Sequence, residues 1–203
     1  MKIGMIFECG PQGADKQVCE YLVRQLKPAA VFVSRTLDNK ANLLKEAGQV
    51  AAQLLADDCD CVLVIWDLRP SWPDKSDKPC RKQEREALKL SLSNANVPAG
   101  ARVFLVCVEQ ELESWLLADE HKLSSYLSTK AHAYTVGKVR KPDRAMQPKA
   151  AVINHFKTAR SSRYDDKVHA LKVIATGELD WKRLRRSESL ARFESKILGC
   201  TVV

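Results

Sequence analysis

The chain has 203 residues, of which 45% are apolar and 29% charged, proportions typical of a soluble globular protein with one sizeable core. No apolar run approaches the roughly 20 residues of a membrane span, and the early Glu8 argues against a signal peptide, so we expect a cytoplasmic protein. The net charge of +8 is uneven, because residues 1–120 carry 15 basic and 18 acidic side chains whereas residues 121–203 carry 18 and 7. This imbalance suggests that the acidic first part binds a metal ion and the basic second part attracts an anion, although a basic tail that only faces solvent has the same composition.

The first part of the chain alternates predicted strands and helices. The apolar run Lys2–Phe7 predicts a first strand, and Cys61–Trp66 is apolar enough for a central parallel strand that is covered on both faces. Two further strands are predicted at residues 30–34 and 102–108, and helices at residues 15–27, 42–56, 80–94 and from Glu113 onward. The alternation predicts an α/β fold with a parallel four-stranded sheet flanked by helices.

The pattern changes after Leu127. Residues 128–147 are basic and show no periodicity, which predicts a loop. Helices are predicted at residues 148–160, 163–175 and 184–198, the first of them with proline in its first turn. We therefore expect an α/β domain over residues 1–127 and a mainly helical, basic extension over residues 128–203 that packs on it.

Acidic residues follow three of the four predicted strands. Glu8 follows the first, Asp67 the third, and a group of three glutamates, Glu109, Glu111 and Glu113, the fourth. Because the carboxyl ends of parallel strands share one edge of the sheet, these acids should meet there. A single acid in such a place often caps the next helix, but several together repel one another unless a cation neutralises them. The pattern favours a Mg²⁺ or Mn²⁺ site suited to phosphoryl transfer.

These residues also carry a resemblance to a known family, the TOPRIM domains of topoisomerases, primases and OLD- and RloB-like nucleases. Glu8 and Gly10 stand where TOPRIM domains have a Glu-Gly turn, and Asp67 stands where they have the first Asp of an Asp-x-Asp motif. The stretch Gln110–Asp119 is similar to the Glu-x-Trp-Leu-Leu-Ala-Asp signature of small RloB-like bacterial proteins of unassigned function. The segment Leu184–Phe193 resembles the C-terminal tail of the same proteins.

The TOPRIM resemblance covers about residues 1–120, and the narrower one covers nearly the whole chain. The TOPRIM resemblance implies a metal-dependent nuclease that hydrolyses phosphodiester bonds of DNA or RNA, with Mg²⁺ or Mn²⁺ held by Glu8, Asp67 and Glu111 or Glu113. RloB-like proteins are commonly paired with ABC-type ATPases in phage defence, so the resemblance also implies an OLD- or RloA-like ATPase as a partner. The sequence leaves open whether the chain forms a homo-oligomer.

One position departs from the TOPRIM pattern, since Arg69 stands in place of the second Asp. Glu111, Glu113, Asp74 or Asp77 could supply the missing ligand; otherwise the site binds one metal or has lost catalysis. The alternative function is therefore a non-catalytic nucleic-acid-binding or regulatory subunit of an ATPase complex. A toxin-like effector that an ATPase keeps silent is a third hypothesis.

Basic and aromatic side chains suggest a surface for nucleic acid, without a sequence-reading motif. Trp66, Trp72 and Trp115 could stack on bases. Trp115 lies among leucines and is expected in the core, whereas Trp72, in a polar loop, is the better candidate for a contact. The residues predicted to bind nucleic acid are Arg69, Lys138, Arg140, Lys141, Arg144, Lys149, Arg185 and Arg186.

Seven cysteines are present, an odd number, and several of them lie inside apolar runs. We expect free, buried thiols in a reducing compartment. The pair in Cys59-Asp-Cys61 is too tightly spaced for a zinc knuckle and has no second pair, so no structural zinc is expected.

Overall fold

Four parallel strands form one sheet in the computed structural model, which describes residues 1–71, 78–160 and 162–200. The strands are β1 (Lys2–Phe7), β2 (Val31–Thr36), β3 (Cys61–Asp67) and β4 (Val103–Val108), in the order β2-β1-β3-β4. In β3 every residue before Asp67 is buried, as expected for an inner strand that is covered on both faces. The predicted α/β fold with a parallel four-stranded sheet is confirmed.

Helices cover both faces of the sheet. They are α1 (Ala14–Leu26), α2 (Lys40–Ala56), α3 (Arg81–Asn94), α4 (Glu113–Leu116), α5 (Glu120–Leu127), α6 (Pro148–Arg160), α7 (Asp166–Ile174), α8 (Trp181–Leu184) and α9 (Glu188–Gly199), with a 3₁₀ turn at Pro142–Arg144. Alternate side chains of a strand point to opposite faces, so Ile3 and Met5 pack with α1 and the C-terminal helices, whereas Ile6 packs with α2 and α3. We name these the extension face and the α2/α3 face.

The C-terminal helices share one hydrophobic core with the extension face of the sheet. Phe156 of α6 and Phe193 of α9 are buried in the same cluster as Met5. Trp115 is fully buried there, as predicted; its indole Nε1 donates to Ser189 Oγ at 2.8 Å, and its ring lies 5.5 Å from that of Phe193. The basic C-terminal part is helical, as the sequence predicted.

Two cysteines contradict the prediction of free thiols. Cys61 at the start of β3 and Cys200 after α9 form a disulfide, with their Cα atoms 6.2 Å apart. Their separation of 139 residues hides the pairing in the sequence, because it depends on α9 packing on the extension face. The other five are free thiols; Cys80 is exposed rather than buried, because it precedes α3 at the surface.

Trp66 is buried, and its indole Nε1 donates to Glu84 Oε2 at 2.8 Å. Its ring therefore does not face solvent, as stacking on a base would require.

Within the described residues, no helix is both long and apolar enough to cross a membrane.

Candidate functional site

A cleft of about 350 Å³ opens at the carboxyl ends of β1 and β3. Glu8, which follows β1, and Asp67, which ends β3, line it together with Asp15 in the first turn of α1. Glu111 enters from the segment after β4, and Lys149 enters from the first turn of α6. The sheet edge therefore collects acids from three strand ends and one helix, as parallel topology requires.

Glycine at residue 13 brings Asp15 close to Glu8. The Gly13 N–H donates to the Gly10 carbonyl at 2.8 Å and closes the tight turn between β1 and α1. A Cβ atom at residue 13 would lie 2.2 Å from Cys9 Sγ, so only glycine allows this close approach. As a result the first turn of α1 packs directly against the end of β1.

Four acidic side chains at this edge each have a buried oxygen without a hydrogen-bond partner among the described residues. These atoms are Glu8 Oε2, Asp15 Oδ1, Asp67 Oδ1 and Glu113 Oε1. A buried carboxylate oxygen that lacks a donor is costly, because water no longer solvates its charge. The cost indicates that the cluster is built to meet a cation or to hold protons.

Burial and mutual repulsion raise the pKa of each of these acids. Burial raises the pKa of Glu8 to about 7, although attraction by Lys40 opposes the rise. Burial also raises the pKa of Glu113 to about 7, against attraction by Lys149, and that of Asp15 to about 6. The pKa of Asp67 lies well above its usual range, because burial is reinforced by the charges of Asp15, Glu8, Glu113 and Glu111.

Lys40 is a buried cation behind the cleft. Its Nζ donates to the carbonyls of Leu68 at 3.1 Å and Pro70 at 2.6 Å, and to Glu84 Oε1 at 3.1 Å. Both carbonyls belong to the segment that follows Asp67. Lys40 therefore fixes the chain where it leaves β3, and its charge acts on Glu8 as well.

The donor set fits a hard divalent cation. Carboxylate oxygens are the ligands that Mg²⁺ and Mn²⁺ take in proteins, and the four unpartnered oxygens have this chemistry. Across the described ranges, however, no three acidic, histidine or cysteine side chains are already arranged to hold a metal ion. The carboxylate groups would therefore have to move in order to bind an ion.

A comparison with known protein families shows which family the chain belongs to. Residues 12–198 match the model of a family described as Domain of unknown function (DUF4276). The chain belongs to this family. No curated protein and no solved structure matches it.

The DUF4276 match takes in most of the acid cluster. Asp15, Asp67, Glu111 and Glu113 lie within the matched residues, as does Lys149, whereas the match begins after Glu8. Both the sheet edge and the C-terminal helices therefore belong to one family unit.

Not every acid of the predicted site enters the cluster. Glu109 turns away, since its Oε1 accepts from Arg192 at 2.7 Å and also from Arg81. Trp72, Asp74 and Asp77 lie outside the described residues.

The predicted nucleic-acid-binding residues fall into three groups. Arg69 and Lys149 line the cleft. Lys138, Arg140, Lys141 and Arg144 are exposed on the segment before α6. The two tail arginines make internal pairs: Arg185 binds both carboxylate oxygens of Glu194 at 2.7 and 2.8 Å, and Arg186 binds Glu120 and the Ala118 carbonyl.

Sequence reasoning missed two residues of the candidate site. Asp15 was interpreted only as a first-turn or capping acid of α1; its position two residues after Gly13 was the available signal. Lys40 gave no signal, because a lysine that starts a helix is ordinarily a surface residue.

Proposed function

We propose that the chain is a metal-dependent nuclease that hydrolyses phosphodiester bonds of DNA or RNA in the cytoplasm, as the effector of a bacterial phage-defence system. One observation carries the proposal: four acids crowd at the sheet edge, each with a buried oxygen that has no hydrogen-bond partner in the described part of the chain. Such crowding destabilises the fold, so it is expected where function requires it. The resemblance to TOPRIM nucleases gives the same assignment for Glu8 and Asp67.

Glu8, Asp67 and Glu113 would hold the ion, with Asp15 or Glu111 beside them. A bound Mg²⁺ or Mn²⁺ would lower the pKa of a coordinated water and neutralise phosphate charge. Arg69 and Lys149 line the same cleft and would orient the phosphate through its oxygens. Lys40 holds the segment after Asp67 in position through the carbonyls of Leu68 and Pro70.

The test is cleavage of single- and double-stranded DNA and RNA by the purified protein, with and without Mn²⁺. We expect Mn²⁺-dependent cleavage that the double substitution Glu8→Ala, Asp67→Ala reduces at least a hundredfold. Glu86→Ala is the matched control, because this exposed acid pairs only with Lys89 among the described residues. Cleavage that survives the double substitution would show that these acids are not the site.

A second function is favoured by Arg69. Its guanidinium Nε donates to Gln110 Oε1 at 2.7 Å, which fixes a positive charge where TOPRIM domains have an acid. We therefore retain a non-catalytic nucleic-acid-binding or regulatory subunit as the alternative. Calorimetry separates the two, since the alternative predicts no divalent-ion binding at millimolar concentration.

The resemblance also supports an ABC-type ATPase as the partner in either case. Co-expression of the chain with such an ATPase and recovery of a complex by affinity purification would test the pairing. Separate migration of the two proteins on a sizing column would contradict it.

A further inference from the structure

Lys149 brings a positive charge from the C-terminal part of the chain into the acid cluster. Its Nζ lies 2.9 Å from Asp166 Oδ2 and 3.8 Å from Glu113 Oε1. Its main-chain N–H donates to Glu111 Oε2 at 3.4 Å. Two carboxyl groups, from α4 and α7, therefore lie near the Lys149 ammonium, and a third, that of Glu111, accepts from the main chain of the same residue.

Lys149 and Asp166 are both partly exposed, whereas Glu113 beside the same ammonium is buried. Glu113 is 2% exposed, and its Oε1 has no hydrogen-bond partner in the described chain. The nearest cation to that oxygen is the ammonium of Lys149. Several oxygens around a single positive charge are what a divalent ion would otherwise collect.

We propose that this site takes a single divalent cation and that the Lys149 ammonium occupies the position of a second one. The inference rests on the proposed function. Two-metal sites hold their ions about 3.5–4 Å apart with shared carboxylates, and a fixed ammonium among those carboxylates excludes a second ion by repulsion.

The remaining acids agree with a single ion. Glu8 Oε2, Asp15 Oδ1 and Asp67 Oδ1 have no hydrogen-bond partner among the described residues, and all three side chains line the cleft. Lys149 lines the same cleft and is held by Asp166. Arg69, whose Nε donates to Gln110 Oε1, adds a second positive charge to the lining of the cleft.

The number of bound Mn²⁺ ions tests this inference without reference to activity. Free Mn²⁺ is measured by electron paramagnetic resonance while the metal-free protein is titrated at pH 7.5. We expect one ion per chain for the wild type and two for Lys149→Met, the second bound more weakly. Lys149→Arg should retain one ion because it keeps the charge, and Lys157→Met on an exposed position of the same helix should also bind one.

Thermal unfolding supplies a second readout. In the absence of divalent ions Lys149→Met should unfold at a lower temperature than the wild type, because Glu113 and Asp166 lose their counter-ion. Added Mn²⁺ should raise its unfolding temperature more than that of the wild type. Lys149→Gln is measured in parallel, so that a folding defect of one variant does not decide the result.

Three outcomes decide the inference. Two ions bound to the wild type overturn it whatever the variants do. One ion bound to the wild type and to both neutral variants overturns the role of Lys149. No ion bound to the wild type removes the proposed function itself, which distinguishes that failure from a failure of the inference alone.

Discussion

Glu8 shows how an ordinary acid becomes a functional candidate through its surroundings. A carboxylate after a strand usually faces water, but Glu8 has one buried oxygen that no described residue contacts by a hydrogen bond. Burial raises its pKa from 4.5 to about 7. Between these two values the folded protein binds a proton that the unfolded chain releases, so this residue makes stability fall as pH rises through that window.

Glu8→Gln should therefore stabilise the metal-free protein at pH 8 and have little effect at pH 4.5. The expected gain at pH 8 is about 1–3 kcal/mol, since each unit of pKa shift corresponds to about 1.4 kcal/mol. Urea unfolding at both pH values in the presence of a chelator measures it. Glu86→Gln on the exposed surface of α3 is the control and should show no such gain. A Glu8→Gln variant that is less stable than the wild type at pH 8 would contradict the raised pKa.

Lys40 illustrates the opposite case, a buried cation whose role is structural. Its ammonium satisfies two carbonyls and Glu84, and Glu84 also accepts from the indole of Trp66. A buried ion pair of this kind contributes little net stability, but the loss of one partner leaves the other charged and unpaired. The main effect of the network is therefore to fix the direction in which the chain leaves β3 after Asp67. Its contribution to the stability of the fold is smaller.

At the scale of elements, α2 and α3 approach unusually closely. Gly48 makes this possible: its N–H donates to Ser91 Oγ at 3.0 Å, and a Cβ atom there would lie 2.0 Å from the Ser91 carbonyl oxygen. The contact lies on the α2/α3 face of the sheet, away from the C-terminal helices. It belongs to the scaffold and not to the cleft.

Gly48→Ala should accordingly destabilise the protein by about 1–3 kcal/mol, because the helices must move apart to admit a methyl group. Gly100→Ala is a matched control, since nothing lies within 4 Å of a Cβ at that turn position and its effect should be near zero. Urea unfolding measures both variants, and divalent-ion binding should be unchanged in each. Equal stability of the two variants would mean that α2 and α3 are not packed through Gly48.

The strands and helices were predictable from sequence where the residue pattern that specifies them lies within the strand or helix itself. The apolar runs placed β1 and the start of β3 correctly, because each lies wholly inside the sheet. The helix predicted over residues 184–198 is α9, which begins only at Glu188, because Ser187 caps it by accepting from the Leu190 N–H. Leu184 instead ends the short helix α8.

The candidate site was predictable only where it follows from strand ends. Glu8 and Asp67 could be placed at one edge because parallel topology fixes where strands finish. The contacts of Lys149 with Asp166 and Glu113 depend on how α6 and α7 dock, and no local pattern encodes docking. The disulfide between Cys61 and Cys200 was missed for the same reason.

At the scale of the whole molecule, part of the positive charge of the second half neutralises the acids of the first. Arg186 and Arg183 bind Glu120, and Arg192 binds Glu109. These cations hold the C-terminal helices to the α/β part. The basic segment before α6, with Lys138, Arg140, Lys141 and Arg144, is exposed and therefore accessible to an anionic partner.

Replacing these four residues by alanine should weaken nucleic-acid binding without altering the cleft. Each lost phosphate contact lowers the slope of log K against log[salt] by about 0.7–0.9, so removal of four should reduce it by about 3. Fluorescence anisotropy with labelled single-stranded DNA between 50 and 200 mM salt measures the slope. The control replaces four exposed cations on α2 and α3, namely Lys45, Lys82, Arg85 and Lys89. Because these lie on the α2/α3 face, they should leave the slope unchanged, and an equal loss from both variants would mean that binding follows net charge alone rather than the basic segment.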